Sequence, residues 1–72
     1  MNKEITRLLL LGKAVVNEQF PSWSEYKPTY VEGIAYTLML ELTASDTATM
    51  SDEHIKDLMR IDLEELKKAL EK

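Results

Sequence analysis

His54 is the one histidine in this sequence, the residue type most often used as a general base, and it sits three residues after Ser51 in Met50-Ser51-Asp52-Glu53-His54-Ile55. Nucleophilic catalysis would require its ring to meet Ser22, Ser24 or Ser45, with a third group to orient it. No local pattern supplies that arrangement, and His54 is expected in the solvated first turn of a helix. Two carboxylate pairs, Asp52/Glu53 and Glu64/Glu65, are the next candidates for acid–base work. Each pair follows a helix cap, where negative charge complements the helix dipole, and that structural role explains them. Cysteine is absent, which removes thiol nucleophiles, thiolate metal sites and disulfides. Gly12 and Gly33 stand alone, so there is no glycine-rich phosphate loop, and one histidine among scattered acids does not make a transition-metal site. The expectation is a protein without catalytic residues, cofactor or metal.

The elements that would position these residues read as helices. Residues 3–19 form the first, with Asn2 as its cap. At 100° per residue, Ile5, Leu8, Leu9, Val15, Val16 and Phe20 fall within an arc of about 140°. Gly12 lies inside that arc. An interior glycine costs about 1 kcal/mol relative to alanine, so its presence predicts close approach of another helix. Leu10 and Leu11 project to either side of the stripe. Pro21 ends the helix, and Pro21-Ser22-Trp23-Ser24-Glu25-Tyr26-Lys27-Pro28 is a connection with one short turn capped by Ser22 and closed by Glu25.

Thr29-Tyr30-Val31-Glu32 has the form of a capping box and opens a helix through about Thr43. Val31, Ile34, Ala35, Leu38, Met39 and Leu42 share its apolar face. Ile34, Tyr36, Leu38, Leu40 and Leu42 also alternate with a period of two, a strand signal. Helix is preferred because the capping box precedes the segment, its Leu, Met, Glu and Ala residues are helix formers, and no other segment alternates to pair with a strand. Residues 45–49 form a polar connector.

The last third carries two cap-and-staple patterns. Ser51 caps a helix over 52–60, with Met50 and Ile55 as its staple. Asp62 caps a second over 63–71, with Glu65 reaching back and Ile61 and Leu66 as staple. One continuous helix would place Asp62 within the apolar stripe and Ile61 outside it, so a break at Asp62 is expected.

This spacing over Asp52–Glu71 resembles a helix-turn-helix, with Ile55, Met59, Ile61, Leu66 and Leu70 at the apolar anchor positions. It departs from that pattern at Lys56, where a small residue is usual, and at Arg60, where the turn usually has glycine. The resemblance implies a DNA-binding regulator. Against that, the would-be recognition helix opens with Asp62, Glu64 and Glu65, which repel a duplex, and it has no arginine or asparagine to read a base edge. Packing is the expected role of the pair.

The sequence has 72 residues, 44% apolar and 31% charged, with a net charge of −4. This is the composition of one small globular domain, acidic enough to oppose nucleic acid. Its longest apolar run, Leu8-Leu9-Leu10-Leu11, is too short for a membrane span, and no long apolar stretch follows the start as in a signal peptide. A soluble, cytoplasmic protein is expected. At this length a single core leaves only about 3–5 kcal/mol of net stability.

Leu10, Leu11, Tyr36 and Leu40 all point off the principal helix faces, and Trp23, Tyr26 and Tyr30 cluster in the connection. So small a protein cannot easily bury them all, and open apolar surface marks partner sites. The fold expected is an all-α, compact bundle of three or four short helices. The function expected is a non-catalytic protein-binding module, with Leu10, Leu11, Trp23, Tyr26, Tyr36 and Leu40 as anchors and Asp46, Asp52 and Glu53 steering a basic partner. Self-association as a homodimer is the simplest form. In composition the chain looks like small acidic regulators or inhibitors of bacteria and phages. The alternatives are a helix-turn-helix transcriptional regulator and a structural assembly subunit.

Overall fold

A computed structural model describes residues 3–43 and 46–70 of the chain. Asn2 and Ser45, each given a place in the sequence reading, lie outside that range. Among the described residues there are three long helices, α1 (Lys3–Gln19), α3 (Pro28–Glu41) and α4 (Asp52–Leu70), a single-turn helix α2 (Trp23–Tyr26), a 3-10 turn at Thr47–Thr49, and no strand.

Helix α1 forms as its apolar spacing requires. Leu8, Gly12, Val15 and Val16 are buried along one face. The Phe20 amide donates to Val16 at 2.8 Å before Pro21 stops the helix. Ser22 occupies the N-cap position of α2, but its hydroxyl makes no cap hydrogen bond.

Helix α3 starts two residues earlier than the capping box predicts. Lys27 is its N-cap and Pro28 its first residue. Proline has its φ already set for the first turn and lacks the amide that would otherwise go unpaired there, so it displaces the start from Thr29. Glu32, freed from a capping role, pairs with Lys13 of α1 at 3.5 Å. The segment with alternating apolar residues is helical, and Val31, Ile34, Ala35, Leu38 and Met39 are its buried face. Leu42, just past its end, is buried as well.

The expected break in the last third does not form. Residues 52–70 are one uninterrupted helix, so among the described residues the helix-turn-helix-like pair is absent and there is no separate recognition helix. The first cap is as predicted: the Ser51 hydroxyl accepts the His54 amide at 3.1 Å. The second is not used. A break at Asp62 would strand several amides and carbonyls with no proline or glycine to enforce it. The cost that argued for a break is also small, because Asp62 is only half-buried, at the edge of the stripe, while Ile61 faces solvent at 61% exposure.

Contacts along the helices give their directions. Arg7 pairs with Asp52 near the starts of α1 and α4, and Glu18 pairs with Arg60 further along both, so these helices run parallel. Gly12 meets Ala35 and Lys13 meets Glu32, so α3 runs antiparallel to α1. The three close around a core of Leu8, Val15, Val16, Val31, Ile34, Leu38, Met39, Leu42, Ile55, Met59 and Leu63.

Candidate functional site

Two apolar areas remain open, and they lie on different flanks. The first runs along the outer seam between α1 and α3. Lys13 and Glu32 bridge that seam. Leu10 lies one turn before Lys13 on α1, turned further from α3 than Lys13 is, and Tyr36 lies one turn after Glu32 on antiparallel α3. Leu40 follows one turn beyond Tyr36. Exposures are 59% for Leu10, 52% for Tyr36 and 48% for Leu40, with Leu9 half-buried and Ile5 partly open beside them. Asp46 is exposed near the same end, where it lines a shallow cleft with Ile5, Leu8 and Thr43. Leu11 does not join this surface. It is partly buried against the core, on the flank of α1 that carries Arg7 and Glu18 toward α4.

The second area is an aromatic corner where the end of α1, α2 and the start of α3 meet the far end of α4. Phe20 and Trp23 stack at 4.0 Å between ring centroids, and Tyr30 meets Trp23 edge-on at 5.1 Å. Trp23 packs against the core, whereas Tyr26 is 75% exposed. From this corner an open groove of about 740 Å³ runs between α3 and α4, lined in part by Tyr26, Tyr30, Ile34 and Leu66. It joins a deeper recess of about 230 Å³ walled by Phe20, Trp23, Tyr30, Ile34, Leu63 and Leu66. The Lys27 ammonium stands 5.4 Å from the Trp23 ring and 5.9 Å from that of Tyr30; the Lys67 ammonium stands 5.7 Å from the Phe20 ring.

The acids named with the apolar anchors are divided. Asp52 is held by Arg7, whose Nε donates to it at 2.9 Å. Glu53 lies 3.5 Å from Lys56. Arg7 is the centre of a network that the sequence reading missed. It also donates to Glu4 at 3.1 Å and to the Thr47 and Met50 carbonyls at 3.1 and 2.8 Å, tying the connector before α4 onto α1. Thr47, buried, donates its hydroxyl to Glu4, and this bond, followed by Arg7, holds the Glu4 carboxyl below the usual carboxylate range. Arg60 does the same for Glu18, with Lys56 adding to it. The sequence foreshadows these networks only in the spacing of Glu4 from Arg7, Glu53 from Lys56 and Asp57 from Arg60, three residues in each case.

Asp62 is shifted the other way. Burial against α3 pushes its carboxyl up, and Glu41 across the interface adds to the effect. With Glu41 and Glu65 it lines a shallow cleft. Among the described residues no group of three histidine, cysteine, aspartate or glutamate side chains is placed to hold a metal ion. His54 is exposed, and the Ser51 hydroxyl is engaged with its backbone amide rather than its ring. No helix in the described residues is long and apolar enough to cross a membrane.

No protein-family model, curated protein or solved structure matches the chain.

Proposed function

We propose that the protein is a small non-catalytic binding module, a regulator or inhibitor that acts by docking the α1–α3 seam onto a partner protein. The observation that carries this reading is the set of open apolar side chains on the two helices that meet at this seam: Tyr36 and Leu40 on α3, and Leu10, with Ile5 and Leu9 less open, on α1. Large apolar side chains left open together on two adjoining helices mark a candidate binding surface. The acids beside it, Asp46 at one end and Glu32 toward the other, together with the net charge of −4, favour a partner with a basic rim. Steric or competitive action follows from such docking, since the face holds no reactive group.

The test is a photo-activatable residue placed at position 36 in the producing cell. A discrete protein adduct that disappears in the Leu10→Ser/Leu40→Ser variant supports the reading; an adduct of twice the chain mass identifies the partner as a second copy. Adducts no different from those of a probe at exposed Ile61 overturn it.

A further inference from the structure

The α3–α4 groove differs from the seam in chemistry and in location, and it carries an assignment of its own. We propose that it is a second docking site, which takes a short acidic peptide segment of a partner protein through one large apolar or aromatic side chain inserted beside Trp23. The recess of about 230 Å³ has room for one such side chain, and its walls are the rings of Phe20, Trp23 and Tyr30 with Ile34, Leu63 and Leu66. The longer groove, open along α3, accommodates the flanking backbone. Aromatic walls of this type accept a ring edge-on or stacked.

Charge selects the flanking residues. The only charged side chains lining the recess and the groove are Lys27 and Lys67. In a chain with 13 acidic and 9 basic residues, that is the reverse of the overall balance. Four other cations, Arg7, Lys13, Lys56 and Arg60, pair with carboxylates. Lys27 and Lys67 make no ion pair among the described residues and rest instead over the aromatic rings. Each ammonium is thus held over a ring with donors left for an incoming carboxylate, Lys67 in the wall of the recess and Lys27 in that of the groove. An acidic segment with a central apolar anchor satisfies both lysines and the recess, whereas a basic segment meets repulsion at both.

Trp23 is the only tryptophan, so its emission reports on this site alone. The probe is a capped seven-residue peptide of glutamates around a central phenylalanine, titrated against the full chain. The expected result is a saturable change in Trp23 emission that weakens with added salt. Binding weakens at least tenfold when the phenylalanine is replaced by alanine, and likewise in the Lys27→Glu/Lys67→Glu variant, whose circular dichroism verifies its fold. The Leu10→Ser/Leu40→Ser variant binds the peptide as the parent does, which separates this site from the seam. Four results overturn the assignment: no response of Trp23; equal binding of a peptide with lysines in place of the glutamates; undiminished binding by the folded charge-reversal variant; or equally tight binding of free phenylacetate, which would make the groove a small-molecule site.

Discussion

Gly12 of α1 approaches the backbone of Ala35 in α3 so closely that a β-carbon on residue 12 would lie 3.0 Å from the Ala35 carbonyl oxygen and 3.2 Å from its α-carbon. The atoms in the way are backbone and cannot turn aside. Gly12→Ala would gain about 1 kcal/mol in helix propensity, but overpacking of a tight contact costs about 1–3 kcal/mol. The expected outcome is a net loss of stability, larger still for Gly12→Val. Gly33 is the control, because a β-carbon there meets nothing within 4 Å. Gly33→Ala is expected to stabilise by about 0.5–1 kcal/mol. Urea titrations of the two variants check the pair, and equal behaviour would mean that α1 and α3 are not in contact at Gly12.

Asp62 supplies a prediction whose sign depends on the helix being continuous. As a cap, it would make Asp62→Ala destabilising by about 1 kcal/mol. Within an unbroken helix, the substitution removes a half-buried carboxylate that faces Glu41 and puts the better helix former in its place, a gain of up to about 0.7 kcal/mol from propensity alone. Thermal melts at neutral pH are expected to show Asp62→Ala as the more stable protein. The pH dependence follows from the raised pKa. The unfolded chain gives up this proton at lower pH than the folded one, so the parent loses stability as pH rises from the ordinary aspartate range through the folded value. The advantage of Asp62→Asn is therefore expected to be full at neutral pH, to shrink as the pH falls through the raised folded value, and to be gone below the ordinary aspartate range.

These two positions show which parts of the fold the sequence disclosed. The buried faces of α1 and α3 were legible because Leu8, Val15 and Val16, and then Val31 through Leu42, recur with the period of a helix. Gly12 was legible as a close approach because glycine inside an apolar stripe needs a reason. Asp62 and Thr29 misled for a shared cause. Each has the chemistry of a cap, worth about 1 kcal/mol. That local gain is outweighed at Asp62 by an unbroken run of backbone hydrogen bonds and at Thr29 by the preorganised ring of Pro28. At the candidate sites, the exposure of Leu10, Tyr36 and Leu40 followed from helical phase. The pairing of Arg7 with Asp52 and the placing of Lys27 and Lys67 over the rings join residues far apart in sequence, and no local pattern records them.

Arg7 tests the tie between α1 and the connector before α4. Its guanidinium reaches Glu4, Asp52 and two backbone carbonyls at once, a fan that a lysine ammonium cannot span. Arg7→Lys and Arg7→Met are both expected to lower the melting temperature and to speed amide exchange around Thr49 and Met50, with lysine recovering little. Acid is expected to act on the same network. The Glu4 pKa is depressed, so its contribution is present above the ordinary glutamate range and is lost as pH falls through the folded value. In the parent, exchange at Thr49 and Met50 should accelerate on acidification beyond its intrinsic pH trend, and that extra acceleration should be absent in Arg7→Met.

Leu10 and Leu11 are adjacent in sequence but belong to different parts of the molecule, and single substitutions separate them. Leu10 is mostly in water, so Leu10→Ser removes little buried area and should leave the melting temperature within a degree or two of the parent. Leu11 packs against the core on the α4 side, so Leu11→Ser exposes apolar surface there and should cost about 1–2 kcal/mol. The two also differ in what they do to association. If the seam is the docking face, Leu10→Ser weakens partner capture without loss of fold, whereas Leu11→Ser weakens it only as far as it unfolds the protein. Measuring capture and stability on the same samples distinguishes these cases. Loss of capture that tracks stability in both variants would place the partner elsewhere than on the α1–α3 seam.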